Sequence, residues 1–136
     1  MLDFALIVLI IVSTFVCVEL LSVLMHKFLF HGPLWAIHET HHVPSKSTFE
    51  LNDVFSAFFA GLAMFLFCFD SMNLKAVAMG ITLYGCVYFF VHDVITHRRF
   101  FSYQTKNVFL GKIRDAHRKH HQKITRDGQG PYGLFF

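Results

Sequence analysis

Thiol chemistry is nearly missing from this chain. Its three cysteines, Cys17, Cys68 and Cys86, sit in apolar stretches far from any C-x-x-C spacing. That argues against a disulfide framework and against a thiolate zinc site, and it reads the three as small buried hydrophobes. The opening residues, Met1 to Phe4, lack the basic region of a signal peptide, and no small-residue cleavage site follows. The first apolar run is therefore expected to be a retained membrane anchor. Charge is absent from most of the apolar runs, whose only ionisable carboxylate is Glu19. An ion-conducting path midway through the spans would need more than one such group. No low-complexity segment occurs.

Apolar and aromatic residues are plentiful instead. Hydrophobic residues make up 54% of 136 positions, and phenylalanine alone occurs 18 times. This exceeds what an ordinary small soluble domain carries and suits lipid contact or a greasy pocket. The length fits a single domain, residues 1–136. Phe4 to Met25 would reach about 33 Å as a helix, enough to cross the hydrocarbon core. Gly32-Pro33 stops the helix beyond it. Val54 to Phe69 and Ala76 to Val91 flank a polar turn, Asp70 to Lys75. Each gives only about 24 Å of helix, so a crossing hairpin must extend into its flanks, Leu51 to Asp53 and His92 to His97; a re-entrant pair is the alternative. The expected fold is an all-α membrane protein of about three, or four, transmembrane helices with a histidine-rich helical cap.

Nine basic residues follow Val91, which puts that tail in the cytoplasm and, with three crossings, the N-terminus outside. The basic tail reads as a topology signal, able to meet anionic lipid or an acidic protein, rather than as a nucleic-acid site. The close, Asp127 to Pro131, is a turn signal, and the apolar residues after it are expected to tuck against the core or the membrane.

All ten histidines fall into four clusters. His26 and His31 form H-x4-H; His38, His41 and His42 form H-x2-H-H. His92 and His97, then His117, His120 and His121, repeat the pattern. The topology above brings all four clusters to the cytoplasmic face without any assumption about metal. On a helix each triplet presents three nitrogens to one region. The H-x4-H pair stands about 140° apart on an ideal helix, so it either serves two metals or the helix distorts between its members. A structural zinc site needs four ligands, and copper takes few; ten imidazoles match two irons with five or six ligands each. Glu39, Glu50, Asn52, Asp53, Asp93 and Asp115 are candidates to accept the free imidazole N–H groups and orient the rings. A bis-histidine haem would need only two to four histidines at membrane depth. Two function classes remain: an oxygen-activating enzyme, and a metal-binding or transport membrane protein.

The motifs carry a family resemblance. HKFLFHGPLWAIHETHH over His26 to His42, FELND over Phe49 to Asp53, GITLYG over Gly80 to Gly85, YFFVHD over Tyr88 to Asp93 and AHRKHH over Ala116 to His121 resemble bacterial-type β-carotene 3-hydroxylases, within the membrane fatty acid hydroxylase and sterol desaturase superfamily. The likeness runs from about Cys17 to His121, with an echo in Tyr132 to Phe135. It implies a non-haem di-iron monooxygenase of the inner membrane, with all ten histidines as metal ligands. It further implies O2 as co-substrate, electrons from a reduced ferredoxin or similar donor, and a carotenoid drawn from the bilayer. The β-ionone ring would be hydroxylated at carbon 3, through cryptoxanthin to zeaxanthin. Other fatty acid or sterol hydroxylases and desaturases are the neighbouring alternatives. The chain is shorter than typical members, and a fourth apolar span is not evident.

Overall fold

A computed structural model describes residues 3–43, 47–101 and 103–135, and among them every regular element is helical. The first helix, α1, covers Phe4–Met25, the run read from the sequence. Asp3 caps it by accepting from the Ala5 amide at 3.1 Å. The helix then widens into a π-turn, π1, over His26–Phe30. After the Gly32-Pro33 break a short helix, α2, runs over Trp35–His42. α3 spans Asp53–Phe67, and α4 spans Met72–Tyr88 before passing into a second π-segment, π2, at Phe89–Thr96. α5 covers Val108–His121, with Asn107 Oδ1 accepting from the amides of Phe109 and Leu110.

Two continuous helical stretches, Phe4–Phe30 and Met72–Thr96, are long and apolar enough to cross a membrane. α4 thus extends through π2 as the short-span argument required. α3 does not extend, and at 15 residues it stays below that length. Gly80 of α4 meets Ile11 and Thr14 of α1 and Tyr84 meets Glu19, so the two helices run in parallel toward one end of the bundle. α3 starts at that end and runs away from it.

The packing is that of helices in lipid, where small residues let backbones approach. Ala63, Ala76, Ala78 and Gly80 are buried, while large side chains such as Leu9, Phe58 and Met64 point outward. Gly80 marks the α1–α4 crossing: a Cβ there would lie 2.6 Å from Thr14 Cβ and 2.7 Å from the Ile11 carbonyl oxygen. The buried cluster is small: Val18, Ala63, Ile81 and Tyr84, with Phe15, Phe59 and Tyr88 packed against it. Cys17, Cys68 and Cys86, expected as buried, are exposed, Cys86 at the lining of the cavity between the helices. Apolar residues suit either a core or a lipid-facing surface, and composition does not separate the two.

Candidate metal centre

The histidine pairs explain the π-turns. In both H-x4-H motifs the second histidine's amide donates to the first one's carbonyl: His31 to His26 and His97 to His92, each at 2.9 Å. This i to i+5 bond adds a residue to the turn and swings the pair together. The ring centroids of His26 and His31 lie 5.1 Å apart, and those of His92 and His97 lie 4.6 Å apart. The helix distorts, and each pair serves one cluster.

Nine of the ten histidines form two groups. His26, His31, His38, His42 and His120 make the first; His41, His92, His97 and His117 make the second. Within each group one nitrogen per ring lies within 4.8 Å of all the others. The tenth, His121, stacks on His42 at 4.3 Å and packs at 4.5 Å from His117 and 4.6 Å from His97. Its Nε2 is buried with no hydrogen-bond partner. The triplets do not serve one region, as their spacing had suggested. His38 and His42 join the first group while His41 joins the second; His120 and His117 divide likewise. Adjacent residues on a helix differ by about 100° in direction, so His41 and His42 cannot aim at one point.

Outer partners orient the rings. His38 Nδ1 meets Asn52 Oδ1 at 2.8 Å, His41 Nδ1 meets Glu50 Oε2 at 2.7 Å, and His92 Nδ1 meets Asp93 Oδ1 at 3.0 Å. Asp53 acts one step further out. Its carboxylate binds the Arg99 guanidinium at 2.6 and 2.9 Å, and Arg99 also reaches Asp93 Oδ1 at 3.1 Å. Glu39 and Asp115 depart from expectation. Glu39 is exposed, on the far side of α2, and Asp115 is exposed and pairs with Arg114 at 3.0 Å. Being on the right helix did not put them on the right face.

Three partners were not visible in the sequence. The carbonyls of Tyr132, Arg126 and Gln129 accept from Nδ1 of His26 (2.7 Å), His31 (3.1 Å) and His120. A backbone oxygen carries no residue signature, which is why motif spacing missed them. Arg99 was counted only among the topology charges. Its neighbour Arg98 adopts φ 55°, a left-handed conformation uncommon outside glycine, which marks the turn that delivers Arg99 to the carboxylates.

These contacts test whether a cation fits. A neutral imidazole carries one N–H, and a carbonyl oxygen can only accept. The proton of His26, His31 and His120 therefore sits on Nδ1, leaving Nε2 with a bare lone pair; the Asn52 oxygen sets the same tautomer in His38. Yet His31 Nε2 and His120 Nε2 lie 3.2 Å apart, and His26 Nε2 and His38 Nε2 lie 3.0 Å apart. In the second group His41 Nε2 and His92 Nε2 face each other at 3.2 Å with both Nδ1 atoms on carboxylates. Lone pairs facing at that distance repel unless a positive charge lies between them. Protonation is disfavoured: burial pushes His38 down to about 4 and His42 down to about 3, and it lowers His31, His41, His97, His117 and His120 as well. A six-coordinate ion with nitrogens at about 2.1 Å has neighbouring nitrogens about 3.0 Å apart. The residues fit two metal ions.

A cavity of about 570 Å³ opens beneath the centre, within the range of ligand pockets. His26, His38, His41, His92 and His117 line its upper end, and Phe59, Ala63 and Phe67 of α3 line the lower. Among the described residues no lysine or arginine lines it. A smaller pocket of about 220 Å³ touches His92 and His117 from another side and is lined there by Phe109 of α5.

The fatty acid hydroxylase family model matches residues 11–136. This chain belongs to that family. A β-carotene hydroxylase of Pseudescherichia vulneris is 35% identical over 132 residues, covering 94% of this chain and 75% of that protein. One from Paracoccus sp. (strain PC1) is 35% identical over 133 residues, covering 94% and 82%. The chloroplastic β-carotene 3-hydroxylase 1 of Arabidopsis thaliana is 40% identical over 118 residues, covering 81% of this chain and 37% of its own. No solved structure matches. The chain is an enzyme of the hydroxylase class with histidine groups able to hold metal, and it is a membrane protein.

Proposed function

We propose that residues 1–136 form a single di-iron carotenoid hydroxylase domain. It would act at carbon 3 of the β-ionone ring of β-carotene, passing through cryptoxanthin to zeaxanthin. The balance is one C–H bond, one O2, two electrons and two protons giving one C–OH and one water. His26, His31, His38, His42 and His120 would hold one iron; His41, His92, His97 and His117, with His121, would hold the other. When bound, such a pair of irons supplies the reductive activation of O2 that an unactivated C–H bond requires.

The chain's own residues do the rest. Glu50, Asn52 and Asp93 fix ring tautomers, so that Nε2 rather than Nδ1 faces the centre. The walls of α1, α3 and α4 exclude water and hold an apolar ring against the upper end of the cavity. The observation that carries the substrate class is the lining. Among the described residues no lysine or arginine lines the cavity away from the histidine end to pair the carboxylate of a free fatty acid, and a pure hydrocarbon needs no such partner.

The proposed orientation puts the N-terminus outside the inner membrane and the histidine end in the cytoplasm, following the basic residues of the tail. Another opening of about 430 Å³ is lined by Arg98, Arg99, His97 and His121. An acidic one-electron donor such as reduced ferredoxin would find both positive charge and the imidazole edges there.

Expression in cells that accumulate β-carotene tests the reading. Zeaxanthin and cryptoxanthin in the pigment extract are expected. Unchanged β-carotene beside folded, iron-loaded protein would defeat the substrate assignment, and hydroxylated lipid in its place would move it to fatty acids or sterols.

A further inference from the structure

Glu19 is an acid inside an apolar helix, and the site as described so far does not use it. It lies six residues before the end of α1, about 9 Å along the axis, and is 2% exposed. An acid at such a position is costly and marks function when its partners are specific. Its partners come from two other parts of the chain. The Tyr84 hydroxyl of α4 donates to Oε2 at 2.6 Å, and Ser22 Oγ lies 2.9 Å from that hydroxyl. The amides of Leu134 and Phe135 donate to Oε2 at 3.2 Å and to Oε1 at 2.8 Å.

That second pair ties down the segment after α5. The same segment supplies the carbonyls of Arg126, Gln129 and Tyr132 to His31, His120 and His26. The Tyr132 ring stands edge-on to those three rings at 5.5 to 5.6 Å. Gly128 presses on His31 so closely that a Cβ would lie 2.4 Å from its Cε1. Three of the five histidines in the first group therefore take their tautomer and direction from one strap. In the second group, Glu50 and Asp93 rather than the strap serve the Nδ1 atoms of His41 and His92.

We infer that Glu19 is a positioning residue for the first histidine group only: by clasping the amides of Leu134 and Phe135 it locks the strap whose carbonyls aim His26, His31 and His120. This rests on the two-ion reading above for its metal consequence, but the lock itself does not. Glu19 acts through backbone N–H groups and touches no histidine, so its loss frees the strap without removing a ligand.

The test uses the full chain in detergent or nanodiscs, comparing wild type with Glu19→Gln, Glu19→Leu and Phe135→Pro. Two quantities are read: hydrogen exchange of residues 126–135, and iron bound per chain. The wild-type strap is expected to exchange slowly. Glu19→Leu should speed exchange there by about tenfold or more, since opening becomes local. It should also lose one of two irons while the second group keeps its own. Glu19→Gln retains an acceptor oxygen and should restore most of both. Phe135→Pro removes one of the clasped N–H groups without touching α1 and should reproduce the leucine phenotype. A protected strap and full iron in Glu19→Leu overturn the inference, as does loss of both irons together in Glu19→Leu and Phe135→Pro. A wild type that binds no iron sinks the functional reading instead, while the exchange data still decide the lock.

Discussion

Replacing Arg99 by methionine removes the cation that joins the carboxylates behind the second histidine group. Its guanidinium makes five hydrogen bonds: two to Asp53, one to Asp93 Oδ1 and two to the Thr48 carbonyl, the last at 2.6 and 3.2 Å. Its side chain is 10% exposed. Burial alone pushes the Asp53 carboxyl upward, but the Arg99 hydrogen bonds outweigh it and hold that group below its ordinary value. Without Arg99, the carboxylates of Asp53, Asp93 and Glu50 face one another uncompensated. Breaking a buried pair by removing one partner costs about 3–5 kcal/mol. Asp53 keeps 30% of its side chain in solvent, so the lower end, about 3 kcal/mol, applies. A domain of this size then loses about 10 °C in unfolding temperature. Asp93 also loses the anchor that sets it against His92 Nδ1, and loss of such an outer partner weakens metal binding by about 10- to 100-fold. Arg99→Lys keeps the charge without the fork and should fall between. Thermal unfolding in detergent and iron titration read both effects. A wild-type unfolding temperature and full iron affinity in Arg99→Met would mean that Arg99 neither stabilises the carboxylates nor anchors Asp93.

Gly85→Phe places a ring in the cavity from a position whose Cβ meets nothing within 4 Å. Hydroxylated product should fall by more than about tenfold with iron content unchanged, because only the substrate path is filled; unaltered pigment conversion would show that the substrate enters elsewhere. Acid should destabilise the metal-stripped protein. Burial holds folded His38 at about 4 against 6.5 for the free side chain, so between those values the unfolded chain binds a proton that the folded one refuses. Stability therefore falls as pH drops through that window, by about 3 kcal/mol for this residue once pH lies below both values. Unfolding temperatures that stay level from neutral pH down to about pH 4 would contradict it. Glu39→Gln and Asp115→Asn are expected to leave iron content and product within about twofold of wild type, because both side chains are exposed and bond to no histidine; a tenfold loss in either would show that its helix faces the other way.

The sequence made the long elements legible because their signals are local. A 22-residue run with Glu19 as its one charge, ended by histidine, fixes α1 to the residue, and the polar turn at Asp70 separates α3 from α4. The histidines betrayed the centre because ten imidazoles in four clusters have few other uses. What stayed hidden depends on direction. Which way a triplet splits follows from helix rotation and from where the facing helix lies, and the heptad-scale pattern carries neither. Glu39 and Asp93 look alike in the chain, each beside a histidine, yet only Asp93 turns inward, because a π-turn rotates it there while α2 points Glu39 outward. The strap was seen only as an apolar close. Its contribution is made by carbonyl oxygens, which every residue possesses.

The two groups differ in the charge behind their rings, and that difference predicts an order of metal loss. His38, His26, His31 and His120 of the first group donate to neutral oxygens: one side-chain amide and three backbone carbonyls. His41 and His92 of the second donate to carboxylates, Glu50 and Asp93. A carboxylate on Nδ1–H draws the proton away and makes Nε2 a stronger donor than a carbonyl does. It also brings negative charge toward an ion otherwise bound only by neutral ligands. Hydrogen bonds to charged groups contribute about 1.5–3 kcal/mol, against about 1 kcal/mol for neutral pairs. Two such bonds in the second group put its excess near 2 kcal/mol, which is about a 30-fold difference in affinity. A chelator titrated into loaded protein should therefore empty the first group before the second, in two resolved steps by Mössbauer or absorption spectroscopy. Glu50→Gln together with Asp93→Asn exchanges the carboxylates for amides and should merge the steps. Simultaneous release in the wild type would mean that the carboxylates do not distinguish the sites, and that the lone-pair geometry alone sets both affinities.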